Sequence, residues 1–378
     1  MKREVFGSAA PGFEAARDAF VENIESGMDV GATFVVVRDG KTVVDLWGGH
    51  SDAARKTILP KDALFNIWST TKGLAATCIA MLVDRGLLDY DAPVIRYWPE
   101  FGQKGKERVT VAHLFSHQAG LCGVDQPVRM EDFFNHAKIA SMLAAQEPFW
   151  PLGTGWGYHS IVFGHLADEL VRRTDGRTIS RFFADEVARP LKADAFMGLP
   201  ESEDLRQVPM IAPEVELPAP AGEFNERAVA ANANPPLDAE WSNRRDWRAA
   251  GTAAAGGSAG ARGLARIYGA LARGGEIDGV RLLSPRALRE ATAERVRGTS
   301  MTSGLPGAYA AGFSLNLLGR LGPNPDSFGH GGFGGSLAFA DPKAKLAFAY
   351  AMNRMLVPAP GELDPRVLRL VTATFASL

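Results

Sequence analysis

The hydrophobic positions near the amino terminus predict an amphipathic helix followed by a β-hairpin. Apolar residues recur at helical spacing over 11–27, and the segment GATFVVVRDGKTVVDLWGG (31–49) then contains two β-branched runs. Asp39 and Gly40 lie between those runs, and an Asp-Gly pair in this position is typical of a tight hairpin turn. This region therefore predicts one helix and a pair of antiparallel strands.

The pattern near the carboxyl terminus repeats this arrangement. The segment GGSLAFADPKAKLAFAYAMN (334–353) predicts a second hairpin, which turns at Asp341 and Pro342, and residues 365–378 follow as a helix. Because the clearest strand patterns come from both ends of the chain, we expect those strands to join in one antiparallel sheet.

Helical periodicity dominates the residues between the two hairpins. The predicted helices cover 70–86, the segment TVAHLFSH from Thr110, 160–174, 178–187 and 261–273. From 199 to 243 the chain is rich in Pro, Ala, Glu and Asn and has no sustained periodicity. A stretch of this length without elements is typical of a functional loop in a compact enzyme, or else it argues against the assignment of the stretch as structureless.

These elements predict an α/β fold of the α+β kind, and not a parallel doubly wound fold, because βαβ alternation is missing. Residues 1–68 and 275–378 are expected to form an α/β domain from both termini, in which helices flank an antiparallel sheet. Residues 69–274 are expected to form a mainly helical domain that carries the 199–243 loop. We expect the active site in the cleft between the two.

The composition argues against several kinds of partner. The chain has 378 residues, 46% of them hydrophobic, and a formal net charge of -2, so its charge does not favour nucleic acid or an anionic membrane. The basic residues near the amino terminus are not followed by an apolar segment, and no apolar run is long enough to span a bilayer. We therefore expect a cytoplasmic protein.

The two cysteines, Cys78 and Cys122, form neither a disulfide framework nor a metal-binding spacing. Cys78 lies on the apolar face of the predicted helix over 70–86. We therefore expect it to be a buried thiol.

The first candidate catalytic residues are Ser69 and Lys72, at the start of the helix over 70–86. Residues three apart on a helix lie on the same face, with Cβ atoms about 5–6 Å apart. A serine hydroxyl needs an adjacent base, and a lysine amine can serve if burial lowers its pKa from about 10.4. The apolar neighbours Ile67 and Leu74 suit that requirement. The alternative is a helix-capping serine followed by an exposed lysine.

Two further short motifs support the catalytic interpretation. Tyr158 precedes a predicted helix, and a tyrosine hydroxyl near a lysine ammonium can share its proton, so that the pair titrates as a unit. His330, Gly331 and Gly332 lead into a predicted strand, where glycines allow close approach of a substrate and the next backbone N–H can face an oxyanion. Each motif alone also fits a structural role, as a packed tyrosine or a glycine-rich turn.

The order and the settings of the motifs resemble one known group. SxxK at a helix start, Tyr-x-Ser before a helix and His-x-Gly entering a strand are similar to the motifs of the serine β-lactamase and penicillin-binding-protein superfamily, specifically of the class C-like esterases called family VIII carboxylesterases. The resemblance covers nearly the whole chain, including TVAHLFSHQAGL (110–121), GGSAGARGLARIYGAL (256–271) and SLAFADPKAKLAFAYAMN (336–353). It implies the β-lactamase/transpeptidase-like fold.

The resemblance also implies roles for individual residues. Ser69 would be acylated, Lys72 would hold or move its proton, and Tyr158 would act as general base and then as acid. The backbone N–H groups of Ser69 and Phe333 would form the oxyanion hole. Whether Lys72 or Tyr158 takes the first proton stays open, although an unshifted tyrosine is only about one part in a thousand phenolate at pH 7, so that Lys72 must help. The expected substrate contacts are Trp156, Ser160, His330, Gly331 and Gly332.

Two departures from the family's β-lactamases bear on the substrate. Those enzymes usually carry Tyr-x-Asn and Lys-Thr-Gly, whereas this chain has Ser160 after Tyr158 and begins its third motif with His330. Loss of the carboxamide removes a donor and acceptor suited to an amide side chain. Loss of the lysine removes a permanent cation that could hold a substrate carboxylate. Both changes favour simple uncharged esters.

The sequence therefore predicts a serine carboxylesterase that hydrolyses short- to medium-chain acyl esters through a covalent acyl-enzyme on Ser69. It predicts a small-molecule ester as partner, with no cofactor and no metal, and leaves the oligomeric state open. The first alternative is weak β-lactam or D-amino-acid peptide hydrolysis, or acyl transfer, on the same scaffold. The second is a noncatalytic ligand-binding or regulatory relative, which the intact set of Ser69, Lys72 and Tyr158 argues against.

Two other patterns suggest different chemistry. GGSAG (256–260) fits the G-x-S-x-G nucleophile elbow, but the residues before Ser258 are a poor strand, so we expect a turn that enters a helix. His113 and His117 are spaced so that both could face a metal, but the glutamate of HExxH is absent, and a packing or polar-wall role is expected.

Aromatic residues flank the motifs, and several of them, with the 199–243 loop, could line an acyl pocket: Trp68, Phe149, Trp150, Trp156 and Phe333.

Overall fold

The computed structural model describes residues 4–214, 228–230, 233–359 and 361–378. Part of the predicted 199–243 loop lies outside these described residues. The described part of that loop is not without elements, because it contains the 3₁₀ helices Glu201–Arg206 and Ala239–Asn243. Short 3₁₀ turns carry no long hydrophobic period, and the sequence pattern therefore missed them.

Strands come from both ends of the chain and from its middle. They are β1 Val5–Ala9, β2 Gly31–Arg38, β3 Lys41–Gly49, β4 Phe65–Asn66, β5 Ala195–Met197, β6 Gly257–Ala259, β7 Glu276–Ile277, β8 Val280–Arg281, β9 Val296–Thr299, β10 Pro306–Tyr309, β11 Ser314–Leu315, β12 Phe328–Gly331, β13 Leu337–Asp341 and β14 Leu346–Met352.

The α-helices confirm the long helical patterns of the sequence. They are α1 Glu14–Glu25, α2 Thr71–Asp84, α3 Val111–Phe115, α4 His136–Ala145, α5 Val162–Asp175, α6 Ile179–Phe183, α7 Arg189–Leu191, α8 Arg245–Ala250, α9 Ala261–Ala272, α10 Pro285–Thr292 and α11 Pro365–Ala376. The predicted helix over 178–187 is α6 followed by a π-helical turn, Ala184–Ala188.

Within the described residues, nine strands form one antiparallel sheet in the order β1-β3-β2-β14-β13-β12-β11-β10-β9. Strands from the two ends of the chain meet where β2 pairs with β14, so that Phe34 lies opposite Tyr350. Both predicted hairpins are present, β2–β3 and β13–β14. Asp39 (φ 48°) and Gly40 (φ 79°) have the left-handed conformations that the first of these turns requires. The predicted fold class is confirmed.

Helices cover both faces of this sheet at β2. Phe34 packs on Phe20 of α1 at 6.1 Å between ring centroids, whereas Val37, on the opposite face, lies against Gly269 of α9. Because β2 is buried on both faces, its sequence is continuously apolar and does not alternate. The sequence assigned α9 to the helical region over 69–274, but its contacts are with β2, β13 and β14 of the sheet.

Helix α2 lies in the interior, between the sheet and the other helices. It contacts α5, α6, α10 and β12, and all of its residues from Thr71 to Leu82 are buried. A helix that is apolar on every side is a buried helix. Its amino-terminal end carries the candidate nucleophile. Cys78, on α2, is a buried free thiol, as predicted.

In the part of the chain that the structure describes, no helix has both the length and the apolar character needed to cross a membrane. The cytoplasmic location and the lack of a nucleic-acid partner stay predictions from the sequence.

Candidate active site

Ser69 lies on a 3₁₀ turn, Trp68–Thr70, between β4 and α2. Trp68 has φ 45°, and a left-handed backbone is unusual for a bulky residue. Its side chain is held between Trp247, at 5.6 Å, and Phe333, which lies edge-on at 5.3 Å. The packing therefore maintains a strained backbone immediately before the candidate nucleophile.

The three-stranded sheet β4-β6-β5 is hydrogen-bonded to the residues on either side of the same turn. The N–H of Ile67 donates to the carbonyl of Gly257 at 2.9 Å. The hydroxyl of Thr71 donates to the carbonyl of Trp68 at 2.6 Å and accepts from the N–H of Gly257 at 3.0 Å. These bonds bring the segment before β6 beside the first turn of α2.

Lys72 is 1% exposed, and its Nζ lies 3.3 Å from Oγ of Ser69. Nζ also donates to the carbonyl of Ala254 at 3.0 Å and lies 4.8 Å from the ring centre of Tyr158. Burial holds the pKa of this amine well below its usual value of 10.5. Burial therefore favours the neutral form of the amine, which can accept a proton from Ser69.

Tyr158 lies on the segment that leads into α5, with its hydroxyl 3.5 Å from Nε2 of His330. Burial, together with the nearby Tyr309, raises the pKa of Tyr158 well above 10, and a hydrogen bond to Ser69 opposes that shift. The resting side chain is therefore a phenol that can donate a proton. Lys72 is better suited than Tyr158 to take the first proton.

His330 is at the end of β12 and is 4% exposed. Its Nδ1 is 2.7 Å from the carbonyl oxygen of Gly331, and that contact requires a proton on Nδ1. Burial and the neighbouring Lys72 lower the pKa of His330 to about 3, so the ring is neutral and Nε2 carries a lone pair. His330 therefore presents an acceptor to the hydroxyl of Tyr158.

Gly332 brings the turn after β12 against the nucleophile segment. A Cβ on Gly332 would lie 2.3 Å from the carbonyl oxygen of Ile67 and 2.2 Å from Oγ of Ser336, so no side chain fits there. The N–H of Gly332 donates to the carbonyl of Ser336 at 2.7 Å and closes the turn that contains Phe333. The turn is thus packed against the nucleophile segment, and the close approach of a substrate to these glycines stays a prediction.

Comparison with known proteins identifies the group to which this geometry belongs. The model of the beta-lactamase family matches residues 20–373. The chain belongs to the beta-lactamase family. Among its relatives is Esterase/beta-lactamase LipL of Mycobacterium tuberculosis, which is 36% identical over 94% of this chain and 84% of its own length. Esterase EstB of Burkholderia gladioli is 31% identical over 43% of this chain and 45% of its own length.

Solved structures of the same family superpose over the whole chain. The crystal structure of a family VIII carboxylesterase is 45% identical, with a TM-score of 0.94 and full coverage of both chains. A penicillin-binding protein homologue from Caulobacter crescentus is 39% identical, with a TM-score of 0.92 and full coverage of both chains. The resemblance to family VIII carboxylesterases inferred from the motifs is confirmed.

Sequence reasoning missed the part that His117 has in this beta-lactamase-family site. The carbonyl of His117 accepts from the N–H of Gly157 at 3.0 Å, and its Nδ1 accepts from the N–H of His159 at 3.1 Å. Both neighbours of Tyr158 are therefore bonded to one buried histidine, whose ring lies 4.7 Å from that of Tyr158. His113 instead caps α3 through Thr110. The sequence favoured a packing or polar-wall role for the two histidines over a shared metal, and the structure gives them separate hydrogen-bond partners.

The other residues that the sequence predicted near the substrate differ in burial and in their neighbours. Trp156 is 4% exposed and packs 5.1 Å from Tyr309, while Ser160 is partly exposed two residues after Tyr158. Phe149 and Trp150 belong to a small apolar cluster with Cys122 and Ala228. The substrate contacts assigned to Trp156, Ser160, His330, Gly331 and Gly332 stay predictions.

Ser258 lies in β6 and not in the expected turn, because its backbone pairs with β4 and β5 before α9 begins. The residues before β6 form a turn, so the strand that a nucleophile elbow needs is missing at this point in the chain. Its hydroxyl is fully buried and has no hydrogen-bond partner among the described residues. Ser258 therefore lacks the exposure and the base that a nucleophile requires.

Proposed function

We propose that the protein is a serine carboxylesterase that hydrolyses uncharged esters with short to medium acyl chains through a covalent acyl-enzyme on Ser69. The observation that carries this proposal is the Lys72 amine, which is buried, has a lowered pKa and lies 3.3 Å from Oγ of Ser69. The names of LipL and EstB as esterases support the same activity.

In the acylation step, Oγ of Ser69 attacks the ester carbonyl carbon while the neutral Lys72 amine takes the serine proton. The oxyanion that forms is stabilised by the N–H groups of Ser69 and Phe333. As the carbon–oxygen bond to the leaving alcohol breaks, the hydroxyl of Tyr158 gives that oxygen a proton, and the Lys72 ammonium returns a proton to Tyr158. Attack by water then releases the acid and restores Ser69.

The environment of His330 supports esters over substrates that carry a carboxylate. A neutral imidazole whose Nδ1–H is engaged by Gly331 presents only a lone pair on the side of Tyr158. A substrate carboxylate at His330 would face that lone pair and not the permanent cation that a lysine at this position would supply. The relative named esterase/beta-lactamase makes β-lactam hydrolysis the second candidate activity.

A chromogenic panel tests the proposal. Nitrophenyl esters from acetate to dodecanoate are assayed beside a chromogenic β-lactam, with wild type, Ser69→Ala and Ser258→Ala. We expect the shorter esters to be turned over best and Ser69→Ala to lose at least about 10³-fold in kcat, as when a nucleophile is removed from a serine hydrolase. Full activity in Ser69→Ala would overturn the mechanism. A β-lactam hydrolysed as efficiently as the best ester would overturn the substrate class.

A second measurement identifies the nucleophile directly. A serine-reactive phosphonate is added to each protein, and the labelled peptide is located by mass spectrometry. The proposal requires the label on Ser69 and requires Ser258→Ala to be labelled as wild type is.

A further inference from the structure

The two proposed oxyanion-hole donors lie on segments that are far apart in sequence. Ser69 precedes α2, whereas Phe333 is in the turn between β12 and β13. Those segments are not paired as strands, because β12 pairs with β11 and β13. Contacts other than strand pairing must therefore fix the positions of these two N–H groups relative to each other.

Side-chain hydroxyls make that connection. The hydroxyl of Ser336 donates to the carbonyl of Ile67 at 2.8 Å. Since its single proton is used there, the hydroxyl of Thr70 is the donor toward Ser336, whose Oγ is 3.0 Å away and whose carbonyl oxygen is 3.3 Å away. Thr70 is 0% and Ser336 3% exposed, so water does not compete for these bonds.

These bonds flank both donors. Ile67 and Thr70 lie on either side of Ser69, and Ser336 closes the turn that contains Phe333 by accepting from the N–H of Gly332. The turn itself is glycine-rich, with Gly334 at φ 89° and Gly335 at φ 123°, and such a turn has little stiffness of its own. Its geometry therefore depends on contacts from outside.

We propose that Thr70 and Ser336 act together as positioning residues that set the distance between the two oxyanion-hole donors. The inference rests on the proposed esterase mechanism, because it assigns a task in that mechanism. Preorganised donors are worth most when they face charge that develops in the transition state, so a loosened pair lowers kcat more than it raises KM.

The chain offers variants that keep the fold. When Thr70 loses its hydroxyl, the carbonyl of Ser336 still accepts from Gly332 at 2.7 Å, and when Ser336 loses its hydroxyl, the carbonyl of Ile67 still accepts from the N–H of Thr70 at 3.1 Å. No buried carbonyl is left without a donor in either case. Thr70→Val and Ser336→Ala therefore test the hydroxyls with little direct loss of stability.

Thr70→Ser is the matched control, because it keeps the hydroxyl and removes only a methyl group. We expect Thr70→Val and Ser336→Ala to lower kcat for the best ester by about 10- to 100-fold with KM changed less than about threefold, and Thr70→Ser to stay within about threefold of wild type. Affinity for a boronic acid that mimics the tetrahedral intermediate should fall by the same factor as kcat. Unfolding midpoints in urea report the folded fraction of each variant.

Failure of this inference and failure of the esterase mechanism give different results. If Thr70→Val equals Thr70→Ser in kcat and in boronate affinity while wild type is labelled on Ser69, the positioning role is wrong and the mechanism stands. If KM rises as much as kcat falls, the hydroxyls support substrate binding and the inference is also wrong. If Ser69→Ala remains active, the mechanism itself is overturned.

Discussion

Two buried basic side chains in this protein, Arg366 and Lys72, differ in whether they have a carboxylate partner. Arg366, at the start of α11, is 0% exposed and pairs with Asp29 at 3.0 Å and Asp364 at 2.7 Å, and it also donates to the carbonyl of Gly334 at 2.8 Å. Lys72 is as buried, but its hydrogen-bond partners in the described residues are one carbonyl and one hydroxyl, with no carboxylate. One cation is neutralised and the other is left without a counter-charge.

The consequence appears in the protonation of the two groups. Burial opposes the charge of Arg366, but the neighbouring Tyr350 and Asp29 outweigh it and raise the pKa of Arg366 above its usual value. No carboxylate among the described residues pairs with Lys72, and burial lowers its pKa. A paired charge stabilises the fold, whereas an unpaired one yields a neutral amine that can act as a base. Three experiments, on Lys72, on Arg366 and on the pH profile, test this distinction, and two more, on His117 and Ser258, test neighbouring parts of the site.

Replacing Lys72 by methionine should have the largest effect on catalysis. We expect Lys72→Met to lower kcat by about 10²–10⁴-fold, the usual contribution of a positioned acid or base. We also expect little net change in the free energy of unfolding, because removing a desolvated amine is favourable while the buried carbonyl of Ala254 loses its donor. Ester kinetics and urea unfolding measure the two quantities.

The matched control is Lys106, which is also buried and whose pKa is lowered to about 8 by burial. Lys106→Met should leave kcat unchanged. A loss of stability in Lys72→Met as large as that expected for breaking the buried Arg366 pair, or a retained rate, would contradict the distinction.

Replacing Arg366 by methionine should act on stability instead. The change leaves Asp29 buried without its cation, and breaking a buried pair in this way typically lowers the free energy of unfolding by about 3–5 kcal/mol. Urea unfolding measures it. Arg286→Met on α10 is the control, since its ion pair with Glu290 is exposed and should be worth less than about 1 kcal/mol. Equal losses from the two variants would show that the buried pair has no special weight.

His117 should affect the rate through Tyr158. We expect His117→Ala to lower kcat by about 10- to 100-fold, because a small misplacement of an acid or base has effects of that size. His117→Asn should recover most of the rate, because its side-chain oxygen can accept from His159 and asparagine tolerates the φ of 66° at this position. Steady-state kinetics on one ester measure kcat for both variants. If His117→Ala and His117→Asn lose the same factor in kcat, the hydrogen bond accepted from His159 has no role in positioning Tyr158.

The pH profile of kcat/KM should reflect the base form of Lys72. Because its pKa is lowered, the base form of the amine persists well below pH 10.5, and the rate should fall about tenfold per unit once the pH drops below the lowered pKa. No loss is expected near pH 10, because the pKa of Tyr158 is raised and its acid form persists. A half-maximal rate close to pH 10.5, the ordinary value for lysine, would show that Lys72 is not desolvated in solution.

Ser258→Ala should have the smallest effect. Its hydroxyl is buried without a hydrogen-bond partner among the described residues, so its removal should leave kcat unchanged and the free energy of unfolding equal or slightly higher. Ester kinetics and urea unfolding are sufficient tests. A rate as low as that of Ser69→Ala would contradict the assignment of Ser69, and not Ser258, as the nucleophile.

The local parts of the fold could be predicted from the sequence because their signals are local. The hairpins at Asp39-Gly40 and Asp341-Pro342 and the helices α1, α2, α9 and α11 follow from turn residues and periodicity within short windows. The order of three short motifs was likewise enough to indicate the beta-lactamase family.

The sequence by itself therefore determined which residue types are available to the chemistry, and only the tertiary structure decided their states. Lys72 has a lowered pKa because the folded chain buries it, and His330 is neutral because burial disfavours its charge. The bonds of Ser336 to Ile67 and Thr70 join residues more than 260 positions apart. Burial and long-range hydrogen bonds depend on the assembled chain, and for that reason no pattern within a short window contains them.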